Sequence, residues 1–133
     1  LCDIDHFKKI NDSLGHLVGD GVLIQFSDLL KQTSRSTDML IRYGGEEFVI
    51  VMPRTAMEAA QKVIERTRAK IETTEFNQVQ WSITASFGLT EITKDDTTSC
   101  LLARADHLLY LAKSQGRNRL VSDYTERDER QLV

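Results

Sequence analysis

Two short, mainly apolar stretches of the chain flank a pair of glycines. The stretches are residues 39–43 and 49–52, and Gly44 and Gly45 lie between them. Apolar runs of four or five residues on both sides of a glycine-containing connection predict a β-hairpin. Glycine gives a backbone access to φ > 0 and allows a ligand to approach closely. The hairpin turn is therefore the first candidate for a functional site.

Apolar residues at helical spacing predict three longer helices. They are expected to end near Thr33, Glu72 and Gly116. A short helical turn is expected before them at residues 6–11, followed by a loop at residues 13–16, and Asp20 is the expected N-cap of the first longer helix. Thr55 and Glu58 have the spacing of a capping box, so the second helix is expected to begin at Thr55.

Three further alternating stretches predict strands at residues 1–5, 81–88 and 119–121. Strands and helices that follow one another in this order predict an α/β sandwich with a mixed central sheet flanked by helices. No linker or repeat interrupts the pattern. We therefore expect one domain over residues 1–121 and a charged tail over residues 122–133.

Composition and charge narrow the classes of partner. The chain has 133 residues, is 41% hydrophobic and 28% charged, and carries a formal net charge of −3. This balance does not favour adsorption to DNA, RNA or a membrane surface. The sequence contains no apolar run of membrane-spanning length. Cys2 and Cys100 are expected to be free, buried thiols in a reducing compartment.

Carboxylates cluster at two of the predicted elements. Asp3 and Asp5 end the first strand, and Glu46 and Glu47 follow the glycine pair. If that strand neighbours the hairpin, Asp3 and Glu46 meet and hold Mg²⁺ with coordination positions left for phosphate oxygens. The alternative is a set of solvated surface acids, which is the more common reading of an isolated Asp-x-Asp. The glycine turn favours the metal site.

Several cations are candidates for binding phosphate. Lys8 and Lys9 follow the aspartates, and Lys113 and Arg117 are spaced i, i+4 at the end of the last helix. Phosphates need such groups. Cations at a helix C-terminus also simply complement its dipole, and spacing alone favours that alternative.

Polar residues after the first strand have the atoms to recognise guanine. An aspartate such as Asp20 accepts hydrogen bonds from the amidine edge of guanine, and Asn11 both donates and accepts. Helix and turn capping by these two residues is the simpler alternative. His16 lacks a second histidine or cysteine nearby, so a zinc site is not expected. Arg35 and Asp38, three residues apart, either grip a guanine and a phosphate or form a weak surface ion pair.

Taken together, these residues resemble the GGDEF-domain diguanylate cyclases. Five separated blocks carry the resemblance in order and spacing, from Leu1 to about Val121: residues 3–12, 15–16, 19–20, 42–48 and 113–118. Glu46 stands where the family name has Asp, which is an accepted variant. The segment that normally precedes the first strand in this family is absent from this sequence, so the domain is expected to be N-terminally truncated.

The resemblance implies a palm-like α+β fold and a bacterial enzyme that condenses two GTP molecules into cyclic di-GMP and releases pyrophosphate. It implies Mg²⁺ or Mn²⁺ held by Asp3, the backbone carbonyl of Ile4 and Glu46. Glu46 is the implied acceptor of the proton from the attacking 3′-hydroxyl, with Glu47 beside it. Lys8 is implied to stabilise the transition state.

The resemblance also assigns residues to the nucleotide and to the product. The implied contacts to GTP are Phe7, Lys8, Asn11, His16, Asp20, Gly44, Gly45, Lys113 and Arg117. Each subunit holds one GTP, so catalysis requires a homodimer. Arg35 and Asp38 match the family's product-inhibition site, with Arg66 as a supporting contact. The implied location is cytoplasmic, and the parent protein could be anchored to a membrane.

Two alternatives stay open. One is a catalytically silent GGDEF module that binds cyclic di-GMP or GTP as a sensor. The other is a palm-type cyclase that makes a mononucleotide product, against which the glycine hairpin and the guanine-reading pair argue.

Overall fold

A computed structural model describes residues 1–123 of the chain. The elements run in the order β1 Cys2–Ile4, α1 Phe7–Leu14, α2 His16–Thr33, β2 Met39–Arg42, β3 Glu47–Val51, α3 Met57–Thr73, β4 Ala85–Leu89, α4 Thr98–Ser114 and β5 Leu120–Ser122. Within this part of the chain, no helix has both the length and the apolar character needed to span a bilayer.

The five strands form one mixed sheet in the order β2-β3-β1-β4-β5. β4 and β5 are parallel, and every other neighbouring pair is antiparallel. The predicted hairpin is β2 and β3, and β1 lies at the centre of the sheet between β3 and β4. The predicted mixed sheet flanked by helices is thus confirmed.

Helices cover both faces of the sheet. Cys2 pairs with Phe48 on one side and Phe87 on the other, so these side chains share a face. The Phe26 ring of α2 packs on Phe48 with 5.3 Å between ring centroids. Ile64 of α3 belongs to the same core cluster. The opposite face, which carries Asp3 and Ser86, packs against α4.

Gly88 explains how closely α4 approaches the sheet. A Cβ atom added at Gly88 would lie 2.4 Å from the Ala105 carbonyl oxygen and 2.5 Å from the Leu109 nitrogen. Both are backbone atoms of α4, which cannot rotate away. Only glycine therefore allows α4 to lie at this distance from β4.

The first two helices differ from the prediction. α1 runs to Leu14 and α2 begins at His16, so the expected loop is reduced to Gly15. Gly15 has φ 88° and ψ 163°, a conformation open almost only to glycine. Asp20 is therefore inside α2, and its predicted capping role is wrong.

The start of α3 and the first part of β4 also differ. Ala56 is the N-cap of α3, and its side chain makes no capping bond. The Thr55 hydroxyl donates to the Pro53 carbonyl at 3.0 Å, and the helix begins at Met57 rather than at the predicted Thr55. β4 begins at Ala85 rather than near Trp81. The predicted tail begins at residue 122, but Ser122 is the buried last residue of β5. Residues 124–133 of that tail lie outside the described residues, and the domain boundary stays a prediction.

The two cysteines are free, as expected, but only Cys2 is buried, whereas Cys100 is exposed. The expectation of two buried thiols is thus wrong for Cys100, which lies in the first turn of the amphipathic α4. Burial raises the pKa of Cys2 to about 12.

We predict that Gly88→Ala destabilises the fold by about 3 kcal/mol or more, because the added methyl group would overlap backbone atoms of α4. Gly21→Ala is the matched control. A Cβ there meets nothing within 4 Å, and alanine in a helix is favoured over glycine by about 1 kcal/mol. Chemical denaturation of both variants measures the difference. Equal stability of the two would contradict the packing described.

We also predict that iodoacetamide near pH 8 modifies Cys100 and spares Cys2 in the native protein, because thiolate is the reacting species. Both cysteines should react in denaturant. Peptide mass spectrometry separates the two sites. Equally fast modification of Cys2 in the native state would show that β1 is not buried as described.

Candidate functional site

β1 places Asp3 at the centre of the sheet, beside the hairpin. Asp3 pairs with Glu47 of β3 and with Ser86 of β4. Its residue is only 4% exposed, so an ionised carboxylate there needs a partner. Lys113 Nζ supplies it at 2.5 Å from Asp3 Oδ2. This ion pair joins the central strand to the last turn of α4.

The hairpin turn is closed by backbone bonds and by one side chain. The Tyr43 and Gly44 N–H groups both donate to the Glu47 carbonyl, at 2.9 and 3.2 Å. Arg42 donates from Nε to the Gly44 carbonyl at 3.2 Å and from Nη2 to the Gly45 carbonyl at 2.8 Å. Sequence reasoning assigned Arg42 no role, although its place directly before Tyr-Gly-Gly was the available signal.

The turn glycines are not required by backbone conformation. Positive φ among described glycines occurs only at Gly15 and Gly116, so the expectation of φ > 0 in this turn is wrong. A Cβ at Gly45 would meet nothing within 4 Å, and one at Gly44 would make an ordinary 3.5 Å contact with Glu47. The two glycines therefore leave bare, accessible backbone where the fold would accept side chains.

Glu46 and Asp3 lie on the same side of the molecule. The Glu46 carbonyl accepts a hydrogen bond from the Ile4 N–H at 3.4 Å. Burial raises the pKa of the Glu46 carboxyl, and the charges of Asp3 and Glu47 raise it further. Burial likewise raises the pKa of Asp3, and the hydrogen bond and charge of Lys113 offset only part of that effect. The carboxylates of Asp3, Glu46 and Glu47 thus repel one another beside the hairpin turn.

The carboxylates of Asp3 and Glu46 fit a magnesium-type cation. Mg²⁺ prefers hard oxygen ligands and is usually bound by one or two carboxylates, with water and substrate phosphates completing its shell. Asp3 and Glu46 supply two mutually repelling carboxylates, and a dication between them would relieve that repulsion. Within residues 1–123 no set of three or more His, Cys, Asp or Glu side chains forms a closed metal cage. The protein set alone is therefore an open site.

Asp5 does not share the role of Asp3. Its residue is 5% exposed. Its carboxylate accepts hydrogen bonds from the Thr84 and Ser86 hydroxyls, both at 2.7 Å, and from the Asn118 N–H at 3.0 Å. The Asp-x-Asp pattern therefore contains one aspartate at the open site and one that is fully hydrogen-bonded within the protein.

Lys113 and Arg117 both lie near Asp3, but not as neighbours on one helix face, which their i, i+4 spacing had indicated. α4 ends at Ser114, so Lys113 and Arg117 do not share a helix face. Arg117 lies in the following loop with φ 64°, and its charge still acts to lower the pKa of Asp3. Lys8 is exposed in the first turn of α1. The fourth candidate, Lys9, lies over the Trp81 ring, 4.9 Å from its centroid.

The predicted guanine-reading residues lie where α1 meets α2. A Cβ at Gly19 would stand 1.9 Å from Asn11 Oδ1, so Gly19 makes room for the Asn11 side chain. Asp20 follows Gly19 directly and is exposed. His16 is the exposed first residue of α2. Capping does not explain Asp20 or Asn11, because the N-cap of α2 is Gly15.

A cleft beside Asp20 has the size of a small-molecule site. Its volume is about 670 Å³, and its lining residues come from α2 and from the hairpin: Asp20, Leu23, Ile24, Ser27, Asp28, Lys31, Leu40, Arg42 and Phe48. Arg42 thus contacts both the cleft and the glycine turn.

Arg35 and Asp38 form a separate feature between α2 and β2. The Arg35 backbone N–H donates to Asp38 Oδ2 at 2.8 Å, so the contact is a turn cap rather than the surface ion pair considered above. Asp38 Oδ1 is buried without a hydrogen-bond partner among the described residues. Arg66 is exposed on α3. Lys70, one turn further along that helix, contacts Gln32 near the end of α2 at 3.2 Å.

Comparison with known proteins settles the family. The family model described as "Diguanylate cyclase, GGDEF domain" matches residues 1–119. The chain belongs to the GGDEF family. Diguanylate cyclase DgcP of Pseudomonas aeruginosa is 44% identical over 122 residues, which cover 90% of this chain and 18% of that protein. The chain therefore spans less than a fifth of the length of this curated relative.

Solved GGDEF structures share the fold. The GGDEF domain of DgcB from Caulobacter crescentus, in complex with c-di-GMP, matches with a TM-score of 0.86 and 32% identity, over 91% of this chain and 74% of that chain. The active GGEEF domain of a diguanylate cyclase from Vibrio cholerae matches with a TM-score of 0.84 and 34% identity, over 91% of this chain and 78% of that chain. The nucleotide-cyclase-like fold implied by the resemblance is confirmed.

In this GGDEF domain, we predict that Gly45→Ala changes the free energy of unfolding by no more than about 0.5 kcal/mol, the range of surface substitutions without a special role. Gly15→Ala is the matched control, because its backbone conformation should cost any other residue about 1–3 kcal/mol. Thermal or urea unfolding tests both. A large loss of stability in Gly45→Ala would mean that the fold itself requires this glycine.

Proposed function

We propose that this domain condenses two GTP molecules into cyclic di-GMP with release of pyrophosphate. The observation that carries the proposal is the convergence of Asp3, Glu46 and Lys113 at a turn whose glycine backbone is open to a ligand. This arrangement matches what a triphosphate with a divalent cation requires.

The divalent cation in this proposal is Mg²⁺ or Mn²⁺. Asp3, the Ile4 carbonyl and Glu46 would hold it. When bound, it polarises the α-phosphate and offsets charge on the leaving pyrophosphate. The raised pKa values of Asp3 and Glu46 support this assignment, since a nearby dication stabilises the ionised carboxylates that burial and repulsion disfavour.

The phosphates would be bound by cations and by backbone N–H groups. α1 begins at Phe7, and only two residues separate it from Ile4, the end of β1. The first N–H groups of a helix have no acceptor within it and favour anions. Phe7 and Lys8 would therefore contact phosphate through their backbone, with the Lys8 side chain stabilising the transition state. Lys113 and Arg117 would hold the terminal phosphates.

The guanine base would be read by Asn11 and Asp20, with His16 nearby. Gly19 supports this assignment, because it lets the Asn11 side chain lie against the residue that precedes Asp20. The bare backbone at Gly44 and Gly45 would border the nucleotide.

The proton of the attacking 3′-hydroxyl would pass to Glu46, with Glu47 beside it. Glu46 is at the open turn, close enough for the charges of Asp3 and Glu47 to act on it, and a general base must lie within hydrogen-bond reach of the proton that it accepts. The hydroxyl must approach the α-phosphate of the other GTP in line. Because each domain would hold one GTP, two copies would face one another as a homodimer.

Cyclic di-GMP would also bind at a second place and inhibit. Arg35 and Asp38 would form this product site, with Arg66 contributing from α3. The buried, unpartnered Asp38 Oδ1 supports the assignment, since it is an acceptor that a guanine N–H could satisfy. We propose no DNA or RNA partner, no membrane insertion by this domain and a cytoplasmic location.

The test is turnover of GTP by the domain fused to a dimerising coiled coil. We expect cyclic di-GMP as the product with Mg²⁺. Glu46→Gln should lower the rate about 100-fold or more, because it removes both a metal ligand and a proton acceptor. Glu75→Gln, on the exposed surface, is the matched control and should retain activity. Chromatography of the nucleotides gives the readout.

Two outcomes would contradict the proposal. Tight cyclic di-GMP binding in calorimetry without turnover by a verified dimer would favour the sensor alternative. Turnover of ATP, or a mononucleotide product from GTP, would favour another palm-type cyclase.

A further inference from the structure

The loop after α4 has an unusual backbone. Gly116, Arg117 and Asn118 follow one another with φ values of 119°, 64° and 47°. This left-handed region is open to glycine and disfavoured for other residues, although asparagine tolerates it best. Arginine has no such tolerance, so neighbouring contacts must hold Arg117 in this conformation.

Contacts from two other elements hold the loop at Asn118. The Asn118 N–H donates to Asp5 Oδ2 at 3.0 Å. Asp5 is itself fixed by the Thr84 and Ser86 hydroxyls. On the other side, Arg68 Nη1 of α3 donates to Asn118 Oδ1 at 2.9 Å. Asn118 thus joins the central strand, the sheet and α3.

Arg68 is itself held by two acidic residues on its own helix. Its guanidinium pairs with Glu65 at 3.1 Å and with Glu72 at 2.9 Å. Its side chain is only 19% exposed. Both acidic side chains are exposed, at 49% and 43%, so these ion pairs add little, and the contact that leaves α3 is the one to Asn118.

Arg117 lies between these supports and α4. Its N–H donates to the Ala112 carbonyl at 3.0 Å, and its carbonyl accepts from Arg119 Nε at 3.0 Å. Its backbone is therefore fully hydrogen-bonded. Its guanidinium forms no hydrogen bond or ion pair with any residue in 1–123, yet its charge reaches Asp3. The loop fixes the backbone of Arg117 and leaves its charged end available to a ligand.

We propose that Asp5, Asn118 and Arg68 form a positioning chain that holds the Arg117 guanidinium beside the Asp3–Lys113 pair to bind the terminal phosphates of the nucleotide. The proposal rests on the proposed function and extends it to three residues that do not contact the substrate. Binding is tighter when the binding group is already held in place, because less conformational freedom is lost.

Arg68 offers the sharpest test, because it is the member of the chain furthest from the substrate. Arg68→Gln removes the hydrogen bond from Arg68 Nη1 to Asn118 Oδ1. The matched control is the Glu65→Gln/Glu72→Gln double variant, which removes the ion pairs on α3 and keeps Arg68. Inorganic pyrophosphate with Mg²⁺ is the probe, titrated by calorimetry against each variant and against Arg117→Ala.

We expect Arg68→Gln to weaken pyrophosphate binding about fivefold to tenfold, and the control to leave it within about twofold, as coupling between residues in one network allows. In the Arg117→Ala background, Arg68→Gln should have no further effect, since its action passes through Arg117. Steady-state kinetics of the dimerised domain should show the loss in KM for GTP rather than in kcat.

Three results would overturn the proposal. They are an unchanged affinity in Arg68→Gln, an equal loss in the control, and a loss of the same factor with and without Arg117. The last two would mean that Arg68 only stabilises α3, which thermal unfolding of the same variants would register. Pyrophosphate binding does not require turnover. Absence of cyclic di-GMP from the unsubstituted protein would therefore refute the proposed function. The coupling between Arg68 and Arg117 could still be measured by pyrophosphate binding.

Discussion

The ion pair between Asp3 and Lys113 is the contact on which the rest of the site depends. Asp3 lies on the central strand, almost without solvent access, and Lys113 reaches it from the last turn of α4. A buried carboxylate without a partner is strongly disfavoured, so this contact fixes the end of α4 against β1. It also brings a cation to the carboxylates of the hairpin turn. The same contact therefore stabilises the fold and sets the charge of the site.

Residues of the same type have different roles around this contact. Asp3 faces the open turn, whereas Asp5 is satisfied by three internal hydrogen bonds and holds the loop after α4. Gly88 lets α4 approach the sheet, and Gly19 makes room for Asn11 between α1 and α2. Gly45, in contrast, meets no steric demand from the protein. Gly88 and Gly19 therefore serve packing, whereas Gly45 leaves backbone accessible.

Sequence reasoning predicted what depends on local pattern. The hairpin, the long helices and the mixed sheet follow from apolar runs around the glycines, helical spacing and element order. Local signals failed where one residue had competing options. Gly15, with its positive φ, joins α1 to α2 where a loop was predicted, and the N-cap of α3 is Ala56 rather than Thr55.

The candidate site likewise combines features that the local sequence predicts with features that it does not. The sequence placed Asp3 beside Glu46 on the condition that the first strand neighbours the hairpin, and β1 does pair with β3. The roles of Asp5, Arg42 and Asn118 could not be predicted, because their partners are backbone groups or residues far along the chain. Arg117 approaches Asp3 through a left-handed loop that helical spacing cannot predict. Long-range contacts of this kind become visible only when the sheet and α4 are assembled.

The central claim is that Asp3 and Glu46 share a divalent cation with a nucleotide triphosphate. The most direct measurement is anomalous diffraction from crystals grown with Mn²⁺ and a non-hydrolysable GTP analogue. We expect Mn²⁺ bonded to both carboxylates, at roughly the 2.0–2.2 Å typical of small divalent cations with oxygen ligands, and Lys113 turned from Asp3 toward a phosphate. Mn²⁺ bound elsewhere, with Lys113 still paired to Asp3 and the turn empty, would contradict the account.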